Sequence, residues 1–248
     1  MSKQVRYFNF PIQLLGGFLT NSNRCLNDIS NYAIYEHSLK MKNAKEMDRF
    51  IASANYYGIE FRNPKASLIN GKELYNSIPL KSPKTGISVI KFHEKRERET
   101  LLWWDYLKKE KTEFDKVCLL GFLALKSIVQ QKAYCKTNNK LWLLRMDGKA
   151  KNDNVSFLTD SIKKYDNEYQ TKKIKTELQI NWGLVSYSYK TRGFYISFKM
   201  NRKDLAFQAE NKKHSNKVKQ LKEQDKQARE QALLRIQNNT TNTRPSHL

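Results

Sequence analysis

Apolar residues in the first third of the chain recur near the 3.6-residue period of a helix. Residues 22–41 and the stretch KEMDRFIASANYYG both follow this pattern, and Gly58 predicts the end of the second helix. The preceding stretch VRYFNFPIQLLGGF alternates poorly and contains Pro11, which leaves a short edge strand and an extended arm as alternatives. The first third is therefore predicted to be mainly helical.

A segment rich in proline and glycine follows between Arg62 and Gly86 and holds most of the chain's proline. Such residues punctuate regular structure, so this segment predicts a linker and a domain boundary. The charged stretch KFHEKRERETLLWWDYLKKEK comes next and is predicted to be a helix, with basic and acidic residues mixed on a solvated face. The residues expected to pack inward are Leu102, Trp103 and Tyr106.

The middle of the chain predicts the central helix of a small domain. TEFDKVCLLGFLALKSIVQQ is apolar on most sides, and Thr112 is a suitable N-cap. AYCKT adds a short strand, after which Thr137 is expected to cap the helix NNKLWLLRM. Gly148 is expected to end that helix.

A helix from Asp166, its expected N-cap, to Trp182 carries the strongest pattern in the sequence, and Gly183 stands where it should end. At about 100° per residue, Ile174, Leu178 and Trp182 form one apolar stripe. The opposite side has no carboxylate and carries Tyr169, Lys172, Lys173, Thr176 and Gln179. A solvated face usually mixes both signs of charge, so this side is a candidate surface for a polyanion.

A tight β-hairpin is predicted after Gly183, because LVSYSY and GFYISFK each alternate. Val185 and Tyr187 are expected to share a face with Phe194, Ile196 and Phe198. Gly193 supplies the positive φ that a short hairpin loop needs. The turn leaves Lys190 and Arg192 exposed at the tip.

This order of elements resembles a winged helix-turn-helix: a helix at 113–131, a strand near 133–136, a helix at 138–147, a recognition helix at 166–182 and a wing at 184–200. The resemblance implies that the recognition helix enters the major groove of DNA and that the wing lies along the backbone or minor groove. The residues so implied are Tyr169, Lys172, Lys173, Thr176, Gln179, Lys190 and Arg192. One departure is the insert KAKNDNVSFLTDSIKKY, where a turn of three or four residues is usual. Either a short extra helix fills this gap or the register differs.

The last section, residues 203–236, is a helix rich in lysine and glutamine, followed by a polar tail that is expected to be disordered. Its apolar seam of Val218, Leu221, Ala228 and Ala232 is broken by Asp225. The seam is too sparse for a sustained coiled coil, so we expect this helix to lie outside the core.

The formal net charge of the 248-residue chain is +22. A coding bias towards lysine and asparagine explains an excess of lysine over arginine, but it does not explain the shortage of Asp and Glu. A charge of this size attracts polyanions through its long-range field, and nucleic acid is the first candidate.

The sequence proposes no reaction, since it lacks a phosphate-binding glycine loop, a nucleophile motif, paired cysteines and an HExxH motif. No enzyme activity, cofactor or metal site is therefore predicted. The residues that keep a metal-dependent nuclease as a minor alternative are Asp147, Asp153, Asp160 and Asp166. A second minor alternative is a protein that stacks the bases of single-stranded nucleic acid on aromatic side chains of the hairpin. The residues of that platform would be Tyr187, Tyr189, Phe194, Tyr195 and Phe198.

The sequence as a whole predicts a mainly α protein with a small antiparallel β-hairpin wing. Residues 1–86 form a helical N-terminal module with its linker, 87–200 a winged-helix-like DNA-binding domain, and 201–248 a basic helix and disordered tail. We expect a cytoplasmic protein that binds double-stranded DNA and no membrane, as a transcriptional regulator or a replication or mobilisation factor of a mobile element. The alternative is a non-enzymatic assembly factor that contacts itself or a protein through the N-terminal module or the C-terminal helix.

Overall fold

The computed structural model describes residues 7–42, 44–79, 81–88, 92–93, 100–101, 112–150, 157–189 and 192–241. The chain forms two compact units, Met1–Met200 and Asn201–Leu248. The expected fold class is confirmed, because the described residues are mainly helical and their strands form small antiparallel sheets.

The first unit opens with a strand, which resolves the alternatives left by the sequence. β1 (Tyr7–Pro11) pairs antiparallel with β2 (Lys84–Ser88), and a 3₁₀ turn (Ile12–Leu15) follows β1. Three helices lie between the two strands in the chain: α1 (Ser22–Ser38), α2 (Glu46–Tyr57) and α3 (Pro64–Ser77). The predicted helical character of this part is confirmed, and Gly58 ends α2 in the left-handed conformation.

The segment predicted as a linker contains regular structure. Pro64 stands at the start of α3, where its missing N–H would have had no helical partner and its fixed φ suits the helix. Asn63 caps this helix by accepting a hydrogen bond from the N–H of Ala66 (3.1 Å). Proline at a helix start therefore marks an element here, and the linker prediction was wrong for α3 and β2.

Within the charged stretch that was expected to be helical, the four described residues form two short strands. β3 (Phe92–His93) pairs antiparallel with β4 (Thr100–Leu101). Alternating charge is as compatible with a strand, whose side chains alternate between two faces, as with a helix. Leu102, Trp103 and Tyr106, which were expected to pack inward, lie outside the described residues.

The second half of this unit has the predicted order of elements. It consists of α4 (Glu113–Val129), β5 (Cys135–Thr137), α5 (Asn139–Met146), α6 (Asp160–Lys163), α7 (Glu168–Asn181), β6 (Val185–Tyr187) and β7 (Phe194–Ser197). β7 lies in the middle of a three-stranded sheet, with β5 on one side and β6 on the other. The short helix α6 occupies part of the insert. An extra short helix was one of the two alternatives that the sequence left open for this segment.

Helix starts follow the capping chemistry of the sequence to within one residue. Thr112 and Asp115 form a reciprocal capping box at α4, which confirms the first predicted cap. α5 is capped by Asn138 rather than Thr137, and α7 by Asn167 rather than Asp166. An asparagine oxygen reaches the third N–H of each helix, so the side chain next to the predicted cap takes its place.

The core is continuous from the N-terminal helices through α4, α5 and α7. The predicted central position of α4 is confirmed, because its residues from Val117 to Leu120 are all buried. Thr85 in β2 donates its hydroxyl to the carbonyl of Leu123 in α4 (2.8 Å). The N-terminal helices and the α4–β7 segment thus belong to one unit and share apolar contacts.

The register of the β6–β7 hairpin differs from the prediction. Ser186 lies opposite Ile196, and Val185 and Tyr187 lie opposite Ser197 and Tyr195. Directly opposed residues share a face, so Ile196 shares its face with Ser186 rather than with Val185. The expected pairing was therefore wrong by one residue, because a period of two leaves a one-residue slip open until a third strand fixes it.

The second unit consists of α8 (Arg202–Thr241), a 40-residue helix. Its predicted apolar seam is exposed at Val218 and Leu221. The helix continues to Thr241, beyond the predicted start of the disordered tail, and residues 242–248 lie outside the described residues.

Two separate features of the structure require a glycine at position 193, at the base of the hairpin tip, and together they give a test of the fold. Its φ is +82°, and a Cβ there would overlap the backbone carbonyl oxygen of Thr137. Gly193→Ala should cost at least about 2 kcal/mol of unfolding free energy, because strain and a backbone clash add.

The matched control is Gly183→Ala, where φ is +71° but a Cβ would meet nothing within 4 Å. It should cost only the conformational part, about 1 kcal/mol. Urea denaturation of both variants gives the comparison. Equal losses would mean that the contact with Thr137 is absent in solution.

Candidate nucleic-acid interface

The buried stripe of α7 sets which of its side chains face solvent. Ile174, Leu178 and Trp182 are all buried, as their spacing predicted. The opposite side, called here the outer face of α7, is exposed and carries Tyr169, Lys172, Lys173, Thr176, Gln179 and Ile180. The sequence therefore predicted the orientation of this helix correctly.

The two carboxylates of α7 differ in how close they lie to the outer face. Glu168 is in the first turn, where a negative charge complements the helix dipole. Glu177 accepts a hydrogen bond from the side-chain amide of Asn181. Glu168 is exposed and precedes Lys172 by four residues, so it lies on the same side of the helix, at the N-terminal edge of the outer face. The rest of the outer face combines two ammonium groups with hydroxyl, amide and apolar groups.

Two side chains of the outer face are held by neighbouring elements. Gln179 donates from Nε2 to the hydroxyl of Ser186 in β6 (2.8 Å), which ties α7 to the hairpin. The ammonium of Lys173 lies 4.7 Å from the ring centre of Phe114 in α4, on the other flank. Lys172 and Thr176 stand between these two, and no hydrogen bond or ion pair to another described residue occupies them.

The hairpin tip is only partly described. Arg192 is exposed, as predicted, and Lys190 lies outside the described residues. Gly193 brings the returning strand against Thr137, directly before the capping residue of α5. The tip therefore lies near the start of α5 as well as following α7 in the chain.

Lys175 is a member of this region that the sequence pattern missed. Its ammonium lies 3.7 Å from the ring centre of Phe194 and 6.0 Å from that of Trp142. Burial among these rings lowers the pKa of Lys175 from its usual value. From the sequence, Lys175 is indistinguishable from a solvated lysine on the flank of α7. The rings that cover it come from α5 and β7, and the pattern within α7 does not reveal them.

Aromatic residues of the hairpin do not form an open stacking surface. Phe194 and Tyr195 are 4% and 2% exposed, so neither offers a ring face to a stacked base. Tyr189 is exposed at the start of the loop. Tyr187 and Phe198 are half-buried, so Tyr189 is the one exposed ring among the five residues of this alternative. Single-stranded nucleic acid uses a series of aromatic platforms.

The insert between α5 and α7 is closed at its base by one buried carboxylate. The side chain of Asp147 is 1% exposed and pairs with Lys149 (2.7 Å). It accepts hydrogen bonds from the N–H (2.9 Å) and the hydroxyl (2.6 Å) of Thr159. Residues twelve positions apart are thereby joined, and α6 and α7 follow at once. Asp147 therefore has a structural role. It is one of the four aspartates that were named as candidate metal ligands of a nuclease.

The contact between Asp147 and Thr159 is called here the Asp147 clamp. A surface pocket of about 440 Å³ lies beside it. Its lining combines apolar side chains with two lysines and one carboxylate, from Lys140, Leu143, Leu144, Phe157, Leu158, Lys163 and Asp166. These residues belong to α5, the end of the insert and the turn before α7. The pocket is thus separate from the outer face of α7.

Two features of the described residues bear on other classes of function. They contain no group of three or more His, Cys, Asp or Glu side chains placed to hold a metal ion, while Asp153 lies outside them. None of the helices in the described ranges combines the length and hydrophobicity needed to span a bilayer.

Comparison with known proteins gives no relative. No family model matches the chain, and neither a curated protein nor a solved structure matches it. The function must therefore be inferred from the residues of this chain.

The partly buried ammonium of Lys175 predicts a pH dependence of stability. In Lys175→Met the stem still covers Phe194, but the charge is gone. Because burial lowers the pKa of Lys175 below its usual 10.5, the folded protein carries the cost of a desolvated charge at neutral pH. That cost disappears as the pH rises through the folded pKa towards 10.5, since the folded chain releases its proton first.

Lys175→Met should therefore be more stable than the unsubstituted protein at pH 7, with the difference shrinking towards pH 10.5. Urea denaturation across this range measures it. The exposed Lys172→Met is the control and should change stability little. If Lys175→Met is less stable than the unsubstituted protein at every pH, the contact of the ammonium with Phe194 outweighs its desolvation.

Proposed function

We propose that this chain binds double-stranded DNA as a winged helix-turn-helix, with α7 in the major groove and the β6–β7 hairpin along the backbone. The outer face of α7 is the observation that carries the proposal. It is exposed and basic, with one carboxylate, Glu168, at its N-terminal edge, and the buried stripe of Ile174, Leu178 and Trp182 fixes its orientation. A face of this kind gains most from a polyanionic partner.

The topology supports the same conclusion. The strand after α4 pairs with the last strand of the hairpin, so the sheet order is β5–β7–β6. This order leaves β6 at the edge of the sheet, where Ser186 accepts a hydrogen bond from Gln179 of α7, so α7 and β6 lie side by side. Adjacent elements of this kind can contact one duplex. The 14 residues of α7 span about 21 Å, and an α-helix fits the major groove, which is about 12 Å wide.

The charge distribution supports a large phosphate contribution to binding. The chain carries a formal net charge of +22, and exposed basic side chains occur on α7, at the hairpin tip and along α8. A transcriptional regulator or a replication or mobilisation factor of a mobile element is the class of protein we propose. A basic protein that acts on specific DNA sites fits each of these roles.

Protein assembly is the alternative function, and α8 is the observation that favours it. Several of its large apolar side chains are exposed, namely Phe207, Leu221, Leu233 and Leu234. Exposed apolar groups along a helix offer contact area to a protein partner. In that case the charge would serve solubility.

Separating base contacts from phosphate contacts tests the DNA-binding proposal. The full-length protein is used to select sites from a random duplex library, and affinity is measured against salt. Log K should fall with log salt at a slope of about −4 to −6, as expected for five to seven neutralised phosphates. The joint change Lys172→Ala and Thr176→Ala should alter which sequences are selected, because these side chains occupy the centre of the outer face.

Arg192→Ala should instead weaken all duplexes alike, since a phosphate contact positions the protein without specifying sequence. Lys65→Ala, an exposed lysine on α3, is the matched control and should leave both properties unchanged. Trp182→Ala should cost about 3 to 5 kcal/mol of stability, because the indole is buried against Phe122. If the Lys172 and Thr176 changes leave selection and affinity intact while loss of Trp182 unfolds the protein, then α7 and the hairpin are only a structural pair.

A further inference from the structure

Ile180 interrupts the polar character of the outer face of α7. Its side chain is 58% exposed, although the same helix buries Ile174 completely. Ile180 follows Thr176 by four residues, so both lie on one side of the helix, about 6 Å apart along its axis. An apolar side chain is therefore presented in line with Lys172 and Thr176, on the surface proposed to face DNA.

The backbone around Ile180 is held firmly. The N–H of Trp182 and that of Leu184 both donate to the carbonyl of Leu178 (3.1 and 3.0 Å), and the next residue before Trp182, Asn181, is buried. On its other side Gln179 is bonded to Ser186. Ile180 is thus presented by an ordered helix end, which suits a residue that must meet a partner at a fixed position.

Only one apolar group is offered by the base edges of the major groove, the C5-methyl of thymine. Every other group there is a hydrogen-bond donor or acceptor, and none of these gains from contact with an isoleucine. Thr176 also presents a methyl group beside its hydroxyl. The spacing of about 6 Å between the two residues corresponds to roughly two base-pair steps of about 3.4 Å.

We propose that Ile180, with Thr176, is a specificity-determining residue that recognises thymine methyl groups. This inference rests on the proposed function and deepens it, because it names A·T pairs as part of the target. The selected site should contain thymine at one or two positions near the C-terminal end of α7. Lys172, nearer the helix start, contributes charge rather than discrimination of this kind.

Deoxyuridine substitution tests the inference, since it removes only the methyl group and leaves base pairing intact. Each thymine of the selected duplex is replaced singly, and the dissociation constant of the full-length protein is measured. One or two positions should lose about three- to tenfold in affinity, the effect of removing one buried methyl group. The remaining positions should be unaffected.

Protein variants then identify the side chain that meets each methyl. Ile180→Ala should lose a similar factor on the thymine duplex and become insensitive to deoxyuridine at one position. Thr176→Ser removes a methyl but keeps the hydroxyl, and should do the same at a neighbouring position. Ile69→Ala, which changes an exposed isoleucine on α3, is the matched control and should keep the full sensitivity. Thermal melting checks that all variants remain folded.

The outcomes separate this inference from the proposed function. If no duplex is selected, the proposed function fails and the inference with it. If a duplex is selected but contains no thymine, or tolerates deoxyuridine at every position, only the inference is overturned. The same holds if Ile180→Ala stays as sensitive to deoxyuridine as the unsubstituted protein, since another residue would then meet the methyl group.

Discussion

The close meeting of three helices at Gly121 determines the rest of the α4–β7 region. A Cβ at this position would lie 3.2 Å from Ile174 Cγ2 and equally close to Trp142 Cζ2. Trp142 also donates its indole N–H to the carbonyl of Gly121 (3.0 Å), inside the core. Because α4 has no side chain at this point, α5 and α7 can both reach its backbone. The rotation of α7 about its axis follows from this contact, and so does the exposure of its outer face.

The hairpin depends on the same packing through polar and aromatic contacts. Lys175 lies over Phe194, Gln179 binds Ser186, and Gly193 lies against the backbone of Thr137. Three separate contacts therefore join the hairpin to α7 and to the start of α5. The basic outer face of α7 is therefore joined to the element that carries exposed Arg192, and a partner rich in phosphate would compensate this charge.

Local patterns were sufficient to predict the helices and the orientation of α7, because a stripe such as Ile174 and Leu178 and a stop at Gly183 depend on residues close in sequence. The hairpin register could not be predicted, since β7 pairs on its other side with β5, and a strand period of two does not distinguish a shift of one residue. Ile180 lies four residues after Thr176, so the helical period alone places it on the outer face. Lys175 was missed for a different reason. Whether a side chain of α7 is covered depends on rings from α5 and β7, and the helical period carries no information about them.

The length of the insert is partly offset by Asp147, which lies directly before it. This carboxylate holds Thr159, so the chain ahead of α6 is brought back to the end of α5. The adjacent Gly148, with φ of +72°, packs so closely on the segment after β1 that a Cβ would lie 2.8 Å from the nitrogen of Gly16. The end of α5 is thereby fixed from two sides. The relation between α5 and α7 thus depends on the clamp and on the Gly121 contact, rather than on the length of chain that separates the two helices.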